Sequence, residues 1–400
     1  MFEHVPLAPP DPIFGLTEAF RRDPNPHKIN LGAGVYQDEG GHTPVLRAVK
    51  RAERRLLGLE PTKSYLPIAG LPEYACVVQR LLLGAGHPAI AEGRAVTVQT
   101  PGGTGALRVA GDVLKLLRGG GTLFLSDPTW VNHVQVFEAV GLRLETYPYF
   151  DAAASALDFE ALMASLAHLS PGDAVLLHAC CHNPTGVDPS PEQWRQMADL
   201  LADRRVLPVL DFAYQGFAAG LDEDAGAIRE LSRRLPEVVV CNSFSKNFGL
   251  YNERIGGLTV IAADPGQAQA VLSQVKRCIR ANYSNPPAHG AAIVATVLGD
   301  PKLRQLWEAE LAEMRLRIRE MREQLATGLE QRGVRLHPEG NAFMVRQRGM
   351  FSFSRLGREQ VERLRQEFSI YLVGSGRINI AGITRANLPR LCDAIAAVVL

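Results

Sequence analysis

The segment SFSKNFGLYNERIGG, residues 243–257, sets one lysine, Lys246, just after the strand-like apolar run EVVVCN at 237–242. Ser243 and Ser245 flank it, and Arg254 follows eight residues on. Open α/β sheets keep their ligands at strand ends. A primary amine there can form a Schiff base with an aldehyde, while two hydroxyls and a guanidinium offer donors to phosphate oxygens. These residue types suit an aldehyde cofactor that carries a phosphate. An isolated Ser-x-Ser-Lys is also what an ordinary polar turn looks like, so the case rests on what the rest of the chain adds.

Other apolar runs end in polar residues that complete such a site. After 96–100 comes PGGTGAL, where Gly102 and Gly103 free the backbone and Thr104 offers a hydroxyl at a helix start, a geometry that favours anions. HNPTG presents Asn183 where the run 174–181 stops. Asp211 closes 206–210 and is followed by Phe212, Ala213 and Tyr214. An acid at the end of an apolar strand is costly without a partner. A pyridine ring nitrogen is such a partner: a carboxylate keeps it protonated, and the protonated ring accepts electrons. Asn183 and Tyr214 can hydrogen-bond a ring hydroxyl, and Trp130, in DPTWVNH, offers a flat face for stacking.

The elements that must hold these residues follow from apolar runs of strand length at 95–100, 122–126, 142–147, 174–179, 206–211, 238–243 and 257–262. Helical patterns separate them, the first being TGALRVAGDVLKLLRGG with closing glycines. Strands alternating with helices predict a mainly parallel sheet covered on both faces. From Pro301 to Gly333 an apolar stripe of Trp307, Leu311, Met314, Ile318, Met321 and Leu325 predicts one long helix. Beyond it, FMVRQ and YLVGSGRINIAG read as short strands before an apolar final helix. The expected division is a large domain over 47–315 and a small domain of 316–400 with the N-terminal arm 1–46.

Composition narrows the function classes. The chain has 400 residues, of which 46% are hydrophobic and 21% charged, with a net charge of +1. Near-neutral charge argues against a nucleic-acid partner, and no run approaches the roughly 18–20 apolar residues of a membrane span. The first residues, MFEHVPLAPPDPIFG, show neither n-region nor h-region, so a cytoplasmic location is expected. Six cysteines at 76, 180, 181, 241, 278 and 392 form no C-x-x-C and suggest no disulfide framework. His178 and His182 have a spacing that metals use, but they are read as lying on an extended strand and the turn after it with no acidic or third partner nearby, so no metal is expected.

In this order and with these gaps, QTPGGTGAL, SDPTW, CCHNPTG, DFAYQGF, SFSKNFGLYNERIGG, RANYSNPPAHGA and SGRINIAG resemble the class I aspartate and aromatic aminotransferases. The similarity runs from about Asp11 to the C-terminus. The resemblance implies an α/β protein of the pyridoxal 5′-phosphate (PLP) fold-type I. That fold has a large domain with a mainly parallel seven-stranded sheet sandwiched by helices, plus a smaller α+β domain. It implies PLP as cofactor, with Lys246, Asp211 and Tyr214 as the catalytic groups. Lys246 would be the aldimine lysine and the base of a 1,3-proton shift, which requires its pKa to fall from about 10.4. Asp211 would sit on the pyridine nitrogen, Tyr214 and Asn183 on the ring oxygen, and Trp130 on the ring face. Gly103, Thr104, Ser243, Ser245 and Arg254 would hold the phosphate.

The same resemblance implies a homodimer with shared active sites, in which Tyr65 of SYLPIAG reaches the neighbouring subunit's phosphate. Arg377 would grip the substrate α-carboxylate, and Arg280 would reach a side-chain carboxylate from the partner subunit. Gly34, Trp130 and Asn183 would also line the substrate. The implied activity is transamination between an L-amino acid, aspartate first, and 2-oxoglutarate. Gly102 resembles the branch that accepts aromatic substrates, whereas Asn285 and NFGLYNER resemble the aspartate branch, so a tyrosine/phenylalanine aminotransferase is the alternative. A PLP-dependent decarboxylase is the remote one.

Overall fold

Seven runs form one sheet, the inner ones apolar and one edge strand polar. They are β1 (Ala95–Pro101), β2 (Thr122–Asp127), β3 (Arg143–Pro148), β4 (Ala174–His178), β5 (Leu207–Phe212), β6 (Val238–Ser243) and β7 (Ile255–Ile261). The computed structural model describes residues 2–7, 14–118 and 121–400. Asp11, where the resemblance begins, and the closing glycines Gly119 and Gly120 lie outside these residues.

The spatial order is β1-β7-β6-β5-β4-β2-β3. Pairings within β3-β2-β4-β5-β6 are parallel, whereas β7 runs antiparallel to both β6 and β1. The expected mainly parallel sheet is therefore present, with one reversed strand. Strands β4 and β6 are buried at every position. Burial on both faces is what turns an alternating pattern into a continuous apolar run. Edge strand β3, RLETYP, is exposed at most positions and carries the charges such an edge tolerates.

Helix α1 (Gly102–Arg118) follows β1, and its Ala106, Leu107, Val109 and Ala110 join Val98, Leu125, Leu176 and Leu258 of the sheet in one core. Each valine or leucine side chain among them, fully buried, contributes roughly 1.5–3 kcal/mol. The long helix spans Pro301–Glu330, and all six residues of its expected stripe are buried. Its Glu310 does structural work at a distance. No side chain of Leu46 caps the helix Arg47–Leu59, and Glu310 instead accepts the N–H groups of Arg47 and Ala48 at 2.7 and 3.0 Å.

Two compact units result: Pro44–Asn183 with Val187–Leu316, and Met1–Thr43 with Pro184–Gly186 and Arg317–Leu400. In the smaller unit, Ile29–Asn30 pairs in parallel with Ile370–Tyr371, and Phe351–Phe353 pairs antiparallel with Arg377–Asn379. FMVRQ is not a strand. Residues Ala342–Arg346 form a short helix in which Phe343 and Met344 are both buried, a helical rather than an alternating pattern. Arg322 fixes its end by donating to the carbonyls of Met344, Gly349 and Phe351. Five residues are too few to distinguish a period of 3.6 from one of 2. Among the described residues, no helix is long and apolar enough to cross a membrane.

Candidate active site

The turn that carries Lys246 is anchored by its aromatic neighbours. Phe244 and Phe248 are buried and pack edge to face at 5.3 Å. Phe248 stacks on Trp307 at 4.5 Å, and the Trp307 indole N–H donates to the Asn247 carbonyl at 2.7 Å. Between these anchors Lys246 is half-buried, its Nζ 5.1 Å from the centroid of the Tyr214 ring. The lysine is thereby aimed by packing rather than left to solvent.

Beside it lies an anion cradle. Because β7 is reversed, its first residues stand at the edge where β1 and β6 end: Ile255 pairs with Pro101 and Gly256 with Ser243. Arg254, immediately before β7, therefore meets both the glycine turn and the serines. Its guanidinium donates to Ser245 Oγ at 3.1 Å. Ser243 Oγ accepts the Ser245 N–H at 3.2 Å. Gly102 has φ of +72°, and an added Cβ would fall 2.6 Å from the Arg254 guanidinium. An added Cβ on Gly103 would lie 3.1 Å from Ser243 Cβ. The positive φ of Gly102 favours glycine there, and Gly103 brings the chain close to Ser243. Thr104 lies in the first turn of α1, where free N–H groups and the helix dipole favour an anion.

One strand from β6, Asp211 lies on β5, 7% exposed, in register with His178 of β4 and Cys241 of β6. Its Oδ2 bonds His133 Nε2 at 2.9 Å, and His133 Nδ1 bonds Thr129 Oγ1 at 2.8 Å. Burial alone would raise the Asp211 pKa. The His133 hydrogen bond and charge, aided by His178 and Lys246, overturn that and hold the carboxyl below its ordinary value. Asp211 is thus kept as a carboxylate in a buried place.

His133 was not singled out by sequence, although it stands in DPTWVNH three residues after Trp130, in the first turn of helix α2 (Val131–Glu138). It also corrects the reading of His178. The expectation that no acidic or third partner stands near His178 is overturned: His133, His178 and Asp211 present ligand atoms within 4.8 Å of one another. The rings continue from His133 to His178 at 5.1 Å and to His182 at 4.2 Å, with Tyr149 stacked on His182 at 3.9 Å. Burial pushes the His178 pKa down to about 3, with the neighbouring His133 adding to the shift, and holds His182 well below its ordinary value.

Asn183 is buried beyond the end of β4, on a segment fastened to β5 by the Ala179 N–H, which donates to the Asp211 carbonyl at 3.0 Å. Tyr214 is buried two residues past the end of β5. Trp130 is half-buried at the cap of α2, edge-on to His133 at 5.2 Å. Tyr65 is 94% exposed, and Arg280 is exposed near the end of helix α3 (Pro265–Asn282), donating to Ser284 Oγ. In the smaller unit, Arg377 is buried 4.1 Å above the Phe351 ring and donates to the Gly32 carbonyl at 2.7 Å. Gly34 adjoins the same ring, where an added Cβ would lie 3.1 Å from Phe351 Cζ.

Fold and geometry define the class: an α/β enzyme with a lysine amine and a buried carboxylate on neighbouring strand ends, beside an anion cradle. The chain belongs to the aminotransferase class I and II family, whose model matches residues 26–395. It is 53% identical over 398 residues to the aspartate aminotransferase of Salmonella typhi, covering 100% of both chains. It is 48% identical to the aromatic-amino-acid aminotransferase of Pseudomonas aeruginosa, covering 99% of this chain and 98% of that one. Among solved structures, the aromatic-amino-acid aminotransferase of Burkholderia pseudomallei, covalently bound to pyridoxal phosphate, aligns with a TM-score of 0.96 at 48% identity over 100% of both chains.

Proposed function

We propose that this aminotransferase uses PLP to exchange the amino group of L-aspartate with 2-oxoglutarate. The observation that carries the reading is Asp211, a buried carboxylate kept ionised by His133 one strand from Lys246. The residues fit the cofactor chemically. Gly102, at φ +72°, and Gly103 bring the chain close to Arg254 and Ser243, which makes a cradle of phosphate-binding donors. When bound, PLP supplies a protonated ring that accepts the electrons of a breaking bond at the substrate Cα.

The chain's own groups then divide the work. Gly103, Thr104, Ser243, Ser245 and Arg254 hold the phosphate, and Asp211 keeps a proton on the ring nitrogen. Tyr214 and Asn183 bond the ring oxygen, and Trp130 covers a ring face. Lys246 Nζ would be the base that takes the proton from the substrate Cα and holds it for return. Arg377 binds the α-carboxylate, beside Gly34. Tyr65 and Arg280 serve the site of a second copy in a homodimer, which their exposure on this chain supports. All six cysteines are free thiols, which supports a reducing compartment such as the cytoplasm.

Lys246→Ala should abolish transamination and the visible absorbance of the lysine-bound cofactor together; a variant that retains both removes the central residue. Relatives of both substrate types match at similar identity, which keeps an aromatic preference as the second reading. Comparing kcat/KM for aspartate, phenylalanine and tyrosine with 2-oxoglutarate decides between them. A preference for tyrosine reverses the order proposed.

A further inference from the structure

Three segments that the proposed function needs meet at one buried side chain of the large unit, Gln99. It lies near the end of β1, three residues before Gly102, and is fully buried. Its N–H donates to the Ala69 carbonyl at 2.9 Å, and its Oε1 accepts the Leu71 N–H at 3.3 Å, so both sides of the turn at Gly70 are fastened to it. That turn admits only glycine: Gly70 has φ of +89°, and an added Cβ would lie 2.4 Å from Gln99 Cβ. In the other direction, Gln99 Nε2 donates to the Pro287 carbonyl at 2.5 Å, and the Gln99 carbonyl accepts the Tyr283 hydroxyl at 3.3 Å. Asn285 Nδ2 closes the circuit by donating to the Leu66 carbonyl at 3.1 Å.

The loop 65–71 carries Tyr65, and Arg280 lies in the last turn of α3, which runs into the segment 283–287. That loop and that segment are irregular, so their inward carbonyls and N–H groups have no ladder to satisfy them and depend on side chains. A buried amide that meets both its donor and its acceptor demands fixes whatever it bonds. Gln99 has one such demand met by each segment, and the strand that bears it ends in the glycine turn of the cradle.

We propose that Gln99 is a positioning residue that presents Tyr65 and Arg280 as one body, so that a single side chain governs both the grip on the phosphate and the preference for dicarboxylate substrates. The inference rests on the transamination reading above. Gln99→Leu keeps the volume and removes both side-chain bonds. In half-reactions of the holoenzyme, followed by cofactor absorbance, kcat/KM for aspartate relative to phenylalanine should fall about ten-fold, mainly through KM. Release of PLP on dilution should speed up about five-fold in the same variant. A lower melting temperature with both the substrate ratio and the release rate unchanged overturns the proposal.

Asn285→Ala leaves Gln99 in place and loosens the same clasp, which keeps the test open should the leucine variant fail to fold. It should move the substrate ratio the same way by about three-fold, and an unmoved ratio counts equally against the clasp. Wild-type enzyme run alongside separates the two claims. If it does not transaminate, the functional reading fails; if it does while both variants match it, the clasp alone fails.

Discussion

Within the large unit, two groups of functional side chains contrast. Asp211, His133, His178 and His182 are buried, and Asp211 and His133 hold each other at 2.9 Å. Tyr65 and Arg280 are exposed, and the Arg280 guanidinium bonds Ser284, four residues further along the chain. Groups of the first kind are fixed before any substrate arrives and suit chemistry that every substrate shares. In the proposed function, Arg280 of the second group is ordered by what it binds and suits selection, while Tyr65 serves a phosphate common to every substrate. Preorganisation lowers the cost of charge in a transition state, whereas an exposed guanidinium can swing towards a carboxylate or away from an apolar side chain.

The contrast breaks first at Asp211. Asp211→Asn keeps the shape but cannot hold a proton on a ring nitrogen. Turnover should fall about a thousand-fold for aspartate and phenylalanine alike, with KM little changed in steady-state assays. A loss confined to one substrate would place Asp211 among the selecting groups. A smaller and one-sided effect is expected at Arg280. Arg280→Leu should cost about a hundred-fold in kcat/KM for aspartate and leave phenylalanine within about three-fold in half-reactions. Equal losses for both substrates would mean that Arg280 belongs with the shared machinery.

Legibility in the sequence follows the same division between local and distant. Each strand of the sheet is a run of five to seven residues, and in the inner strands burial on both faces writes itself as near-continuous hydrophobicity, with the polar residues just past those runs gathering at one edge. Lys246, Ser243, Ser245 and Arg254 fall within one segment, so their meeting needs only the reversal at β7. His133 and Asp211 are 78 residues apart, and no periodicity announces that pair. The cue present was weak: a histidine one turn into a helix that starts at a strand end, near a strand-end acid elsewhere in the chain. Glu310 capping a helix 262 residues away left no local mark either. FMVRQ failed for a different reason, because five residues do not set a period and Arg322 decides the outcome from another element.

The smallest effect, and the one that probes the buried group most directly, is on stability. His178 bonds neither ring nitrogen to another side chain or to backbone, lies between His133 and His182, and has its pKa pushed down to about 3 by burial. In the unfolded chain it returns to about 6.5. Between these values the unfolded state holds the proton and the folded state does not, so stability falls as pH drops below about 6.5 and is flat in this respect above it. One histidine contributes at most about 1.4 kcal/mol per pH unit, and His182 acts in the same direction. Urea midpoints of the holoenzyme should therefore decline from pH 7.5 to pH 5, and His178→Gln should make the decline shallower. An unaltered slope in that variant would mean that His178 takes up a proton in the folded state, against the direction that its burial dictates.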